Sequence, residues 1–234
     1  MPNWCENRLR VIGSSVDLMD FMHEFRKTDR LCEFMPMPEI LVGTTSPSVD
    51  YPNPCDSWFE FLATGLWTQE VFDTAVSERR ARYEKNNKAF IETGYTDWYS
   101  WCNDNWGTKW GDCETTFDEP VPFEFGLNDS SVLLVEFWFQ TAWSPFGNSF
   151  MERISERFPS LVFVDCYEET GMCFRGARLF HAGLCFFDQS EDITYSSEDL
   201  DIEDMCDENN VAMDELLDSA YESFEWKGFL ISGQ

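Results

Sequence analysis

Basic residues are scarce in this chain of 234 residues. It has 16 Lys and Arg against 44 Asp and Glu, which gives a formal net charge of −28 and an isoelectric point near 4.1. A charge of this sign and size repels phosphate backbones and anionic membrane surfaces, and it attracts basic surfaces with a strength that falls as salt rises. The composition therefore argues against direct binding to nucleic acid or membranes and favours a basic protein partner.

Histidine and closely spaced cysteines are scarce too. The only histidines are His23, on a predicted helix, and His181, in a predicted turn, so a nucleophile has few bases to activate it. Cys185 and His181 could form a nucleophile and its base. The alternative is that His181 lies in a turn and Cys185 is a small apolar residue of the core. The nine cysteines form no C-x-x-C pair, which argues against a zinc site.

Phosphate-binding loops and dinucleotide fingerprints are absent, and the carboxylates of "EDLDIEDMCDEN" lack the glycine of a calcium loop. They favour weak divalent-ion binding without a dedicated site. We therefore expect a protein that is not an enzyme and that has no cofactor and no catalytic or metal-binding residues. The N-terminus has no signal-peptide pattern, no stretch is apolar enough for a membrane helix, and the cysteines suit a reducing compartment, so we expect a cytoplasmic location.

The pattern of apolar residues predicts a fold. Alternation over 7–12 predicts a strand, and helical spacing of apolar residues follows from Ser15. Strand patterns return in "WGDCETTF", "PFEFG" and "SVLLVEFWFQTAW", a helix is predicted over 147–158, and a strand over 161–169 precedes a hairpin that turns near His181. The order β-α-β-β-α-β predicts an α+β protein with a ferredoxin-like split β-α-β antiparallel sheet.

Two further segments complete the predicted organisation. Residues 33–105 are expected to form a mainly helical insertion in a ferredoxin-like domain over 1–188. Residues 189–234 form an acidic C-terminal extension, with a loop or edge segment over 190–210 and an amphipathic helix from Val211, which we expect to pack on the same domain.

Three groups of motifs carry a family resemblance: "MPNWCENRLRVIG", "WYSWCNDNWGTKWGD", and "FQTAWSPFGNSF" followed by "FPSLVFVDCYEETGMCFRG". Over residues 1–176 the chain resembles the YubB-type family of plasmid and phage proteins. The resemblance implies a ferredoxin-like domain of unknown function, with Trp4 and Cys5 packed where an interior first strand enters the core. It also implies a mobile-element setting in a bacterial host, and by analogy interference with host defence.

The acid is concentrated near the C-terminus, since residues 179–234 hold fifteen Asp and Glu and one Lys. Our first hypothesis is a non-enzymatic inhibitor whose acidic surface mimics nucleic acid and occupies a basic nucleic-acid-binding host protein of a defence system. The residues expected to form this surface are Asp199, Asp201, Glu203, Asp204, Asp207, Glu208, Asp214, Glu215 and Asp218.

Two alternatives remain open from the residues alone. A general interaction module would use exposed aromatics of the insertion, Trp58, Phe59 and Trp67, and its acid would serve solubility. The tryptophans of "WYSWCNDNWGTKW" fit core or protein-binding roles better than base stacking, given the charge. A hydrolase or nuclease that uses carboxylates and a divalent ion is the third reading. The sequence leaves the oligomeric state open.

Overall fold

The computed structural model describes residues 3–51, 68–123, 132–193 and 202–226, with the backbone alone over 202–211. The chain divides into two units. Residues 1–35 together with 105–234 form the sheet unit, and residues 36–104 form the helical unit.

The sheet unit is built on one antiparallel sheet. Its strands, within the described residues, are β1 (Trp4–Ser14), β2 (Cys113–Phe117), β3 (Val121–Pro122), β4 (Val132–Ala142), β5 (Val162–Glu169), β6 (Phe174–His181) and β7 (Leu184–Asp192). The spatial order is β2-β4-β1-β5-β6-β7, and β3 also pairs with β4. The first strand of the chain therefore lies in the interior of the sheet.

Five α-helices are described: α1 (Ser15–Phe25), α2 (Gln69–Thr93), α3 (Trp98–Asn105), α4 (Asn148–Arg157) and α5 (Ile202–Glu222). Short 3-10 helices cover Leu31–Phe34 and Glu39–Leu41. The elements β1-α1-β2-β4-α4-β5, with the strand order β2-β4-β1-β5, form a ferredoxin-like split β-α-β sheet, which β6 and β7 extend. The predicted fold class is confirmed, with the helical insertion between α1 and β2.

Helices α1 and α4 cover one face of the sheet. The side chain of Ser14 accepts a hydrogen bond from the Asp17 backbone N–H and caps α1, whose buried residues recur at helical spacing up to Phe25. The Phe21 ring lies 5.8 Å from Phe137 of β4 and 5.7 Å from Phe163 of β5, in edge-to-face contacts between ring centroids. Each of these rings is fully buried, and full burial stabilises the fold by about 1.5–3 kcal/mol per side chain.

Helix α5 covers part of the opposite face. Its buried residues Leu216, Leu217, Ala220 and Tyr221 join a core cluster with Ile12, Val162, Val164, Cys166, Ala177 and Leu179. Successive residues of a strand point to opposite faces, so Phe163 faces α1 while its neighbours in β5 face α5. The sheet is thus covered on both faces along β5, and this explains why β5 is buried almost throughout.

The helical unit is held by side chains that bind backbone groups. The Asn86 amide of α2 accepts from the Thr45 N–H at 3.0 Å and donates to the Thr45 carbonyl at 2.7 Å. Thr44 accepts from the N–H of Trp98, and Asp97 accepts from the N–H of Ser100, at 3.0 Å, in the first turn of α3. These bonds tie the irregular segment before residue 51 to both helices.

Two expectations about local structure are wrong. The acidic stretch over 190–210 is not all loop or edge, because helix α5 begins at Ile202, nine residues before the predicted start. Carboxylates in the first turn of a helix are stabilised by its dipole, so acidic composition there does not oppose helix formation. Trp4 does not pack into the core, because its side chain points to the sheet face opposite α1 and is 37% exposed, whereas Cys5 is fully buried.

Candidate functional site

Nine acidic residues are expected at the partner surface. The structure describes the side chains of three of them, and these three lie on the outer side of α5. Asp214, Glu215 and Asp218 are exposed, while Leu216 and Leu217 between them are buried. The same helix contains four more of the predicted residues, for which the structure describes the backbone alone: Glu203, Asp204, Asp207 and Glu208. Asp199 and Asp201, and the aromatic residues Trp58, Phe59 and Trp67 of the alternative surface, lie outside the described residues.

Among the side chains that the structure describes, those of helix α5 leave one part of its sheet face uncovered. In β1 the even-numbered residues share the face of Ile12, so Trp4, Glu6 and Arg8 lie on this part. In β4, Trp138 is the cross-strand partner of Arg8 and Gln140 is that of Glu6, and in β5 Glu168 is opposite Glu6. We call these six residues, Trp4, Glu6, Arg8, Trp138, Gln140 and Glu168, the open face.

A charged network connects the open face to α5. A carboxylate oxygen of Glu136 accepts from the Nε atoms of both Arg8 and Arg10, the latter at 2.8 Å. Arg10 also donates to the Tyr221 hydroxyl of α5 at 2.8 Å. Burial raises the pKa of Tyr221 to about 12, although Arg10 opposes the shift, so this hydroxyl stays neutral at physiological pH. The network therefore positions α5 against β1, with two arginines around a single carboxylate.

Two carboxylates of the open face lie against each other. Glu6 and Glu168 are direct cross-strand partners, a placement that is destabilising for like charges. The Glu6 carboxylate accepts from the Gln140 amide at 2.7 Å, and within the described residues neither glutamate forms a salt bridge. Burial raises the pKa of Glu168, Arg175 lowers it and Glu6 raises it further. This pair is a local concentration of negative charge on the sheet.

The same part of the face forms a groove. It has a volume of about 280 Å³ and is lined by residues that include Glu6, Arg8, Trp138, Glu168 and, from α5, Met213. The Arg8 guanidinium lies 5.2 Å from the centre of the Trp138 ring, and the tryptophan remains 43% exposed. The groove combines an aromatic wall with carboxylates, the chemistry that binds cations in proteins.

Nucleophilic chemistry finds little support in the described residues. Burial raises the pKa of the Cys5 and Cys32 thiols strongly, and it raises the pKa values of Cys102 and Cys166 to about 12. Buried thiols with raised pKa values are inert at neutral pH. Cys185 donates to the Phe187 carbonyl, and the Nδ1 atom of His181 donates to the Leu161 carbonyl at 3.0 Å, so their side chains bond to separate groups.

Metal ligands and membrane helices are absent from the part of the chain that the structure describes. Within 3–51, 68–123, 132–193 and 202–226, no three His, Cys, Asp or Glu side chains come together as a metal site would require. None of the helices in these ranges combines the length and the apolar character needed to cross a membrane.

Comparison with known proteins identifies the class of domain. Residues 123–208, just over a third of the chain, match the family model described as "Ferredoxin-like domain in Api92-like protein". This part of the chain is thus similar to a ferredoxin-like domain that has no assigned activity. No curated protein matches the sequence.

Among solved structures, the chain is similar to the crystal structure of protein api92 from Yersinia pseudotuberculosis. The sequence identity is 12%, the TM-score is 0.42, and the alignment covers 84% of this chain and all of the other. The YubB resemblance and its plasmid and phage setting stay predictions.

Sequence reasoning missed the open face, although β1 contains a signal for it. Glu6, Arg8 and Arg10 alternate with buried residues along a strand that lies inside the sheet. Charged side chains in an interior strand need solvent or ion pairs on one face. Alternating charge in the first strand therefore indicates a sheet face that is not fully covered.

Proposed function

We propose that this protein is a non-enzymatic inhibitor, carried by a phage or plasmid, that occupies the basic nucleic-acid-binding surface of a host defence protein. The observation that carries the proposal is the placement of Asp214, Glu215 and Asp218 on the solvent side of a helix anchored in the core. A mimic of nucleic acid needs carboxylates on an ordered surface, because a mobile acidic tail loses entropy when it binds. The mobile-element setting rests on the resemblance to YubB-type proteins.

The charge spacing along α5 favours a particular nucleic acid. The helix has 21 residues, eight of them acidic, and at about 1.5 Å per residue it is roughly 30 Å long. Averaged along the axis, this is one charge per about 4 Å, near the value of about 3.4 Å for one strand of DNA and well above the value of about 1.7 Å for a duplex. The proposed target is therefore a protein that binds single strands.

The test is capture of partners from host lysate with the intact protein as bait. We expect a nucleic-acid-binding defence protein that is released by raised salt and by single-stranded DNA more readily than by duplex. The variant D214N/E215Q/D218N should lose most of this capture. The matched control is D20N/E33Q/E156Q, which removes three exposed charges from α1, α4 and the 3-10 helix at Leu31–Phe34.

Two results would contradict the proposal. Equal losses in the α5 variant and in its control would show that net charge, and not this helix, attracts the partner. A partner whose capture is insensitive to salt and to competing DNA would favour the alternative, an interaction module with an apolar interface. The exposed Phe90 and Ile91 on α2 of the helical unit are the described residues that favour this second candidate.

A further inference from the structure

The open face and its groove belong to a different set of side chains from the acidic row of α5. Glu6, Trp138 and Glu168 come from β1, β4 and β5, whereas Asp214, Glu215 and Asp218 come from the solvent side of the helix. A function of the groove can therefore be tested independently of the proposed mimicry of nucleic acid by α5.

The charged side chains that line the groove are two carboxylates, Glu6 and Glu168, and one guanidinium, that of Arg8. Arg8 and Arg10 share Glu136, and the nearby Arg175 donates from its Nε to Glu191 at 2.7 Å. Glu168 lies between Glu6 of β1 and Arg175 of β6, and within the described residues neither glutamate forms a salt bridge. A positive group placed between them would remove a like-charge repulsion that folding leaves in place.

The ring of Trp138, which forms one wall of the groove, further restricts the class of ligand. Trp138 already has one guanidinium, that of Arg8, near its ring at 5.2 Å, and still exposes 43% of its side chain. A guanidinium or ammonium is attracted to the face of an indole ring, and a carboxylate beside the ring can pair with the same cation. The groove volume of about 280 Å³ lies just below the range of about 300–1,000 Å³ typical of pockets for drug-sized ligands, so it suits one side chain of a larger partner.

We propose that the open face is a docking site for a basic polypeptide segment, with one arginine or lysine side chain inserted in the groove between Glu6, Glu168 and Trp138. The neighbouring acidic surface of α5 attracts such a segment at long range, and the groove provides the specific contact. Phosphate-bearing ligands are repelled by the same pair of glutamates.

The probe for the test is a short fluorescent Gly-Ser peptide that carries two arginines, and its control has citrulline at both positions. Citrulline keeps the shape of arginine without the charge. At physiological salt we expect the arginine peptide to bind and the citrulline peptide to bind far more weakly, as measured by fluorescence anisotropy. Equal binding of both peptides would contradict the proposal.

Two variants separate the groove from the general field of the protein. E6Q/E168Q and the control D20N/E156Q change the net charge equally, but the control positions lie on α1 and α4, on the other side of the sheet. We expect the groove variant to weaken binding about fivefold or more and the control less than twofold. Trp138→Leu leaves the charge unchanged and should weaken binding by about threefold, through the lost cation–π contact.

A result of equal weakening in both double variants would overturn the docking site and leave only long-range attraction. Urea unfolding shows whether each variant is folded. Independently of the variants, the indole N–H resonance of Trp138, assigned by its absence in Trp138→Phe, should shift on titration with the arginine peptide. An unchanged resonance at saturation would exclude the groove.

The test also distinguishes this site from the proposed function. D214N/E215Q/D218N should bind the arginine peptide with less than twofold loss even where it no longer captures the nucleic-acid-binding partner. Peptide binding that is lost only in this α5 variant would place the basic ligand on the helix and overturn the inference about the groove.

Discussion

At the scale of single residues, Asp165 and Arg178 form the most deeply buried salt bridge among the described residues of the sheet unit. The two side chains form a salt bridge with 2% and 5% of their surfaces exposed. Arg178 also donates to Asn148 at 2.8 Å and lies over the Tyr167 ring, while one carboxylate oxygen of Asp165 has no hydrogen-bond partner within the described residues.

We expect Asp165→Ala to lower the free energy of unfolding by about 3–5 kcal/mol, because it leaves the Arg178 charge buried and unpaired. The control Asp188→Ala removes an exposed carboxylate that bonds to Asn148 and should cost less than about 1 kcal/mol. Urea denaturation measures both. The double variant D165L/R178M should recover much of the loss, and a double variant less stable than Asp165→Ala would refute this account.

Glu168 gives a residue-scale prediction for pH. Its folded-state pKa is raised by burial, so the folded protein binds the proton more tightly than the unfolded chain. Stability from this group is therefore present at acidic pH, below the unfolded pKa, and is lost as pH rises through the folded pKa. Glu168→Gln should be more stable than the parent at pH 7, by roughly 0.5–1 kcal/mol, because the neutral amide avoids the cost of burying a charge and the repulsion from Glu6, which together outweigh the lost attraction to Arg175.

The measurement is urea unfolding of both proteins at pH 7 and at pH 4. The advantage of Glu168→Gln should shrink at the lower pH, where the parent carboxyl is protonated. The control is Glu156→Gln on α4, which should show no comparable advantage at pH 7. An advantage of Glu168→Gln that grows on acidification would have the wrong sign for a raised pKa.

At the scale of elements, α5 is a helix whose inner side is part of the core. Leu217 is 5% exposed and belongs to the cluster with Val162 and Leu179, and its neighbour Asp218 points to solvent. Leu217→Ala should lower the free energy of unfolding by about 2–5 kcal/mol through lost burial and a residual cavity. The matched change Asp218→Ala should stay within about 0.5 kcal/mol.

Thermal and urea unfolding of the two variants check this contrast. Similar small losses in both would show that α5 does not hold its place against the sheet, and would also remove the rigid support that the proposed acidic surface needs. A large loss in Leu217→Ala with a small one in Asp218→Ala is the expected pattern.

The elements also show how far the sequence predicts the fold. Periodicity predicts β1, α1, α4 and the hairpin of β6 and β7, because their apolar residues alternate or recur at helical spacing. Periodicity does not predict the start of α5 at Ile202, because the residues that follow Ile202 are mostly acidic and polar and their composition is typical of a loop. Periodicity does not predict the open face either, because only the register of β1 with β4 and β5 brings Glu6, Trp138 and Glu168 together.

At the scale of the whole molecule, the net charge of −28 opposes compactness. Added salt screens this repulsion, with a Debye length that falls from about 30 Å at 0.01 M to about 10 Å at 0.1 M. We expect the urea midpoint to rise when NaCl is added over this range, with an unchanged dependence on urea. Sucrose at matched osmolality is the control for general solvent effects.

A midpoint that stays constant with salt but rises with sucrose would contradict this expectation. It would mean that the acidic side chains are far enough apart, or well enough paired with Lys and Arg, for their repulsion to be small in the folded state. In that case the salt sensitivity of partner capture would report on the interface alone.

The interior position of β1 has a consequence for the protein while it is being made. Trp4 pairs with Ala142, and Glu6 pairs with Glu168, so β1 finds both of its neighbours only after the more than 100 residues between them have been synthesised. At synthesis rates of about 5–20 residues per second this interval is on the order of ten seconds. During that time β1, with Cys5, Leu9 and Val11 uncovered, is a nascent segment that a chaperone can bind, and the helical unit over 36–104 is complete before the sheet that flanks it in the chain can close.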